Sequence, residues 1–193
     1  RFNTAAPIVR RVQKKSTVFA DSIFESSKPF GMRTFFKDYS QTKKEGFYEL
    51  HVKGREIKYV DPKYVTKNKD LITKYKVLTS KAYGIGSYPS KIILPPFIAG
   101  KNAVCTETYQ VAGSFDTKKE ADNYKKFLET KFARFLIAMR KNTQDLTKDK
   151  MKFLPLLDMK IEWNDKKLYK MFDISNKEQE FINEIVSDII TDE

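Results

Sequence analysis

The sequence predicts an α+β (mixed α/β) domain. Residues 1–115 form a strand-rich part with a mixed sheet, and residues 116–193 a helical part, together one domain. Three observations predict this. Between Phe47 and Val60 two short aromatic and β-branched runs flank a glycine. From Thr117 onward apolar residues recur at helical spacing. The chain has 193 residues, of which 40% are hydrophobic, enough for one core without disulfides or metals.

The elements follow in order. Arg10 to Ser16 reads as a basic arm leading into a short apolar segment, Thr17 to Phe24. Ser26-Ser27-Lys28-Pro29-Phe30-Gly31 marks a turn, because Pro and Gly at that spacing punctuate regular structure. Arg33 and Lys37 surround the pair Phe35-Phe36. Phe47 to Val52 and Glu56 to Val60 are the arms of a β-hairpin closed by Lys53-Gly54-Arg55, and Asp61-Pro62 ends it. Asn68 to Tyr75 is expected to be a short helix, and Lys76 to Thr79 a strand. Ile92 to Leu94 and Thr106 to Val111 are expected to be further strands.

Thr117 and Glu120 have capping-box spacing. Behind them Ala121, Tyr124, Phe127, Leu128, Phe132, Phe135, Leu136 and Met139 predict one long amphipathic helix ending near Arg140. Asp165 is expected to cap a short helix bearing Leu168, Tyr169 and Phe172. Ser175 and Glu178 form a second capping box, ahead of a stripe of Phe181, Ile182, Ile185, Val186, Ile189 and Ile190. Phe135, Leu136, Trp163, Phe172, Phe181 and Ile185 are expected in the core.

Composition narrows the function. Thirty-seven Lys and Arg face 25 Asp and Glu, giving a net charge of +12 and a pI near 9.5. Such a domain favours polyanions. No apolar run approaches membrane-spanning length, so no membrane partner is expected. A single Cys105 and a single His51 exclude a disulfide framework, a cysteine-rich zinc site and a His-based metal cage. They fit a reducing cytoplasm. The chain opens on Arg1 without a targeting pattern, as expected of a fragment of a longer chain.

Several motifs touch on chemistry. Gly84-Ile85-Gly86-Ser87 lacks the third glycine and the lysine of a phosphate loop and reads as a turn. Leu94-Pro95-Pro96-Phe97 has the shape of an amino-methyltransferase motif, but Leu94 has no side-chain acceptor where that chemistry needs Asp, Asn or Ser. It reads as a strand end followed by a turn. Glu56-Ile57-Lys58 and Asp158-Met159-Lys160 each supply the acid-x-lysine half of a metal-dependent nuclease site without an obvious second acid. His51, in an alternating strand pattern, reads as a surface or hydrogen-bonded residue, and Cys105 as a small buried apolar one. Arg140-Lys141-Asn142-Thr143-Gln144 gathers side chains suited to base edges and phosphates. By composition alone it reads first as a solvated helix end whose cations favour the helix dipole.

A family resemblance unites these pieces. Lys131-Phe132-Ala133-Arg134-Phe135-Leu136, Arg140 to Gln144, Phe153-Leu154-Pro155-Leu156-Leu157-Asp158, Trp163-Asn164-Asp165 and Leu168 to Phe172 carry it in the second part. Ser27 to Gly31, Lys74 to Val77, Ser80-Lys81-Ala82-Tyr83-Gly84 and Cys105 to Tyr109 carry it in the first. In this order they resemble the C-terminal target-recognition (specificity) domain of TaqI-like adenine-specific DNA methyltransferases and fused restriction-modification enzymes.

The resemblance implies that this fragment recognises double-stranded DNA and positions a target adenine for an upstream methyltransferase module of the same chain, with or without a nuclease module. It implies S-adenosylmethionine in that module and no cofactor in this fragment, which would not be catalytic alone. The parent would be a cytoplasmic type II restriction enzyme of bacterial defence. The expected DNA contacts are Arg33, Lys81, Tyr83, Arg140, Lys141, Asn142, Gln144 and Lys148. Two other readings stand beside it. One is a metal-dependent endonuclease fragment using Glu56 and Lys58, or Asp158 and Lys160. The other is a module whose helical tail from Asp116 docks on other parts of a restriction complex.

Overall fold

The computed structural model describes residues 2–81, 95–140 and 146–186. It is mixed α and β, with the strands in the first part of the chain and most helices in the second.

The hairpin forms where the sequence places it. Strand β1 (Tyr48–His51) runs antiparallel to β2 (Ile57–Val60), with Tyr48 opposite Val60 and His51 opposite Ile57. The turn depends on Gly54, whose φ of 81° lies in the left-handed region that glycine enters without steric cost. On its other side β1 pairs in parallel with β5 (Ala103–Cys105), which makes this sheet mixed.

A second sheet is wholly antiparallel. Its centre is β3 (Tyr75–Ser80), flanked by β4 (Phe97–Ala99) and β6 (Tyr109–Phe115). The strand expected over 106–111 is borne out only from Tyr109, where β6 starts; β5 ends before it, at Cys105, and serves the other sheet. Between them Tyr109 N–H closes a turn on the Thr106 carbonyl at 3.1 Å. The segment expected to be helical over 68–75 is a 3-10 turn at Lys69–Thr73. Lys76, fully buried in β3, closes it by donating from Nζ to the carbonyls of Leu71, Ile72 and Lys74 at 3.0, 3.4 and 2.7 Å. Three donors meeting three acceptors make a buried ammonium tolerable.

The helical layer corrects two expectations. The chain opens with a helix, α1 (Phe2–Lys15), and not with a basic arm. Ala5, Ile8, Val9 and Val12 stand at i, i+3, i+4 and i+7 and bury that face in the helical core. The second correction concerns the long helix. It divides into α2 (Lys118–Glu129) and α3 (Lys131–Arg140). Thr130 is extended at ψ 150° and serves both ends. Its hydroxyl donates to the Phe127 carbonyl at 2.7 Å and accepts from Ala133 N–H at 3.2 Å.

Asp165 completes this break. Its carboxylate accepts from the first amides of α3, Lys131 N–H at 3.1 Å and Phe132 N–H at 2.9 Å. It therefore caps α3 and not its own helix. That helix, α4 (Asp165–Met171), is capped by Asn164, which accepts from Lys167 N–H at 2.9 Å. The final helix is α5 (Asn176–Ile185), and both capping boxes form as the spacing predicts. Arg11 ties α1 to α5 through a two-pronged pair with Glu178 at 2.9 and 3.0 Å.

Two hydrophobic clusters fill the molecule. One joins α1, the helical layer and one face of the second sheet, where Val77 and Ala112 meet Tyr124 and Phe127. Gly113 allows that approach: a Cβ there would stand 2.8 Å from both Ile23 and Tyr124. The other lies under the hairpin, around Leu50, Val60, Leu78 and Val104. Phe135, Leu136, Phe172 and Ile185 are buried as expected, while Trp163 and Phe181 pack against the core half-buried. Ile189 and Ile190 lie outside the described residues.

Candidate nucleic-acid interface

Of the eight expected DNA contacts, Arg33, Lys81, Arg140 and Lys148 fall within the described residues. Tyr83, Lys141, Asn142 and Gln144 lie outside them, as do Gly84 to Ser87 and Ile92 to Leu94.

A short turn ties together the segments that carry three of the described ones, Arg33, Lys81 and Lys148. Thr106–Thr108 joins β5 to β6 and collects three other segments. Thr106 N–H donates to the His51 carbonyl at the end of β1 at 3.1 Å, and Glu107 N–H to the Met32 carbonyl at 3.0 Å. The Thr108 carbonyl accepts from Lys81 N–H at 3.1 Å, and the Lys81 carbonyl accepts from Leu146 N–H at 2.9 Å. Residues 32, 107–108, 81 and 146, remote in sequence, are thereby stitched into one edge. Arg33 leaves from it beside Met32, Lys81 lies on it, and Lys148 follows two residues after Leu146. All three are exposed. Among the described residues none of the three has an ion-pair partner. Half-buried Glu107 is the acid of the turn itself.

Arg140 is placed differently. Its guanidinium grips Asp149 with two hydrogen bonds, at 3.2 and 3.1 Å, and lies 5.1 Å over the Phe153 ring. Arg140 and Lys152 together hold the Asp149 carboxyl down at about 2.

The charge is unevenly divided. Residues 116–193 contain sixteen Lys and Arg and sixteen Asp and Glu, so the entire net charge of +12 belongs to residues 1–115. Residues 28–69 alone hold eleven Lys and Arg against five acids. This stretch wraps the hairpin, and its loop bears exposed Lys37, Lys43 and Lys44 beside Arg33. A running charge count along the sequence carries this signal, whereas the residue types after Arg140 stand in the neutral part of the chain.

The remaining candidates resolve as follows. His51, expected at the surface or hydrogen-bonded, is 6% exposed, and its Nε2 has no hydrogen-bond partner. Burial, with a smaller contribution from the Lys76 charge, lowers it to about 4, so it is neutral near pH 7. Cys105 is fully buried as expected, and that burial pushes its thiol up, away from nucleophilic use. The strand end expected before Pro95 lies outside the described residues, and Pro95 and Pro96 lead not into a turn but into β4, which Phe97 opens. The Phe97 ring packs on Tyr109 at 5.0 Å, under the Arg55 guanidinium at 4.9 Å, and Arg55 donates to the Pro95 carbonyl at 2.6 Å. Lys58 pairs with Glu56 of its own hairpin arm at 2.6 Å, and Asp158 accepts from Lys160 N–H at 2.9 Å. Among the described residues no three His, Cys, Asp or Glu side chains gather as metal ligands, and no helix is long and apolar enough to cross a membrane.

Compared with family models, curated proteins and solved structures, the chain matches none.

Proposed function

We propose that the chain recognises double-stranded DNA as the specificity domain of a restriction-modification enzyme. In that role it places a target adenine before an attached S-adenosylmethionine-dependent methyltransferase module. The observation that carries the reading is the charge division: the whole excess of +12 falls on residues 1–115. Arg33, Lys81 and Lys148, exposed and without an ion-pair partner among the described residues, support it further. Exposed cations can hold phosphates, and each neutralised phosphate releases condensed counterions.

The test is fluorescence anisotropy of a short labelled duplex across a salt series. The expected result is a log–log slope of about −0.9 per phosphate contacted. Replacing Arg33, Lys81 and Lys148 together by Ala should flatten the slope by about 2.7 units. A parent chain that ignores duplex at low salt would overturn the proposal, as would a triple variant with an unaltered slope.

A further inference from the structure

The most exposed of the large apolar side chains among the described residues is Phe35, at 71%, against 49% for Val18 and 46% for Ile57. Its neighbours are fixed on both sides. Met32 is buried, and its carbonyl is held by Glu107. Phe36 N–H closes a turn on the Arg33 carbonyl at 3.1 Å, and the Phe36 ring sits edge-on to Tyr64 at 5.2 Å and near Tyr39 at 6.4 Å. Ser40 then pairs with Tyr59 along the open edge of β2. The loop is thus anchored on either side of one outward-facing ring. The Arg33 guanidinium lies 5.9 Å from that ring's centre, and Lys37 is exposed two residues on.

We infer that Phe35 is a stacking wedge for a nucleic-acid base step. The inference rests on the duplex-binding reading above and assigns the ring a role within it. An apolar surface for a protein partner would not need a guanidinium against the ring. A base step offers an apolar face beside phosphates, which is the chemical complement of an exposed ring with Arg33 against it and an exposed Lys37 two residues on. Because the neighbouring residues are already fixed, little order remains to be gained on binding.

The experiment compares two short duplexes, one fully paired and one with a central abasic site beside a 2-aminopurine reporter. The parent chain should bind the unstacked duplex about tenfold more tightly and change the reporter's fluorescence. Phe35→Ala should bind both equally, with an unaltered salt slope because no charge is lost, and Phe35→Trp should restore the preference. The Phe35→Ala melting temperature should match the parent, since the ring is exposed. A parent without the preference, or Phe35→Ala that keeps both preference and reporter change, overturns the wedge but leaves duplex binding standing. Absence of any salt-dependent duplex binding by the parent overturns both.

Discussion

Asp165→Ala is expected to destabilise the protein through a helix to which Asp165 does not belong. Its two carboxylate oxygens take up the first two amides of α3, at 3.1 and 2.9 Å. An N-capping side chain is worth about 1–2 kcal/mol. A negative charge at a helix N-terminus adds up to about 1 kcal/mol. Thr130 still accepts from Ala133 N–H, so one cap survives the substitution. The expected loss is therefore about 1–3 kcal/mol, or a melting temperature lower by roughly 3–10 °C in a chain of this size.

Asn at position 165 keeps one neutral acceptor and should cost about half as much. Asn164→Ala provides the local comparison, because Asn164 caps α4 alone, and should cost about 1 kcal/mol. Urea unfolding followed by circular dichroism, with an unaltered m-value, measures all three. An Asp165→Ala variant within about 0.5 kcal/mol of the parent would refute the account of the break at Thr130.

Three further outcomes are expected. His51 is held down at about 4 against about 6.5 in the unfolded chain. Its burial in the neutral form therefore supports the fold above pH 6.5, and that support fades as the pH falls towards 4. His51→Leu should be near-neutral at pH 7, because Nε2 has no partner to lose, and should flatten this part of the stability–pH curve. The Arg11 pair, first among several causes, lowers the Glu178 carboxyl below its usual range. Its contribution is present above the unfolded value of about 4.3 and is lost as the pH drops through the folded value. The thermal gap between the parent and Glu178→Gln should accordingly close in acid. Finally, Asp149→Asn weakens the grip on Arg140 and should steepen the duplex salt slope by up to about 0.9, while a slope no steeper than the parent's would place Arg140 off the DNA.

Local patterns read correctly where the cause was local. Both capping boxes and the Gly54 hairpin depend on residues within a few positions of one another. The misreadings arose where a distant residue decided. Continuous apolar periodicity through Thr130 gave no sign of a break, because the carboxylate that caps α3 lies more than thirty residues on. The helix α1 is a different case. Its stripe from Ala5 to Val12 was legible, but Pro7 and the basic residues from Arg10 drew the reading towards an arm. The burial of His51 and Lys76 was not legible, since strand alternation assigns a face but not what covers it.

The same distinction separates the two candidate surfaces. After Arg140 the residue types suit nucleic acid, yet the helical part is electrically balanced and many of its cations are committed. Lys118 holds Asp122, Lys125 holds Glu129, Lys126 holds Glu162 and Arg140 holds Asp149. Such surface pairs add little stability, but they cancel the field that would steer a polyanion. Around Arg33 the cations of the loop are not paired in this way among the described residues, and the only acids in the loop from Arg33 to Phe47 are Asp38 and Glu45. A field depends on what remains after pairing, so the hairpin side, and not the helix end richest in base-reading residue types, is where a duplex is expected to arrive first. Lys81 and Lys148, on the edge shared with Met32, then connect that side to the helical layer. Reversing charge at Lys37, Lys43 and Lys44 should therefore slow duplex association more than the same reversal at Lys118, Lys125 and Lys126. Equal effects in stopped-flow association at low salt would show that the whole surface, and not one side, attracts the DNA.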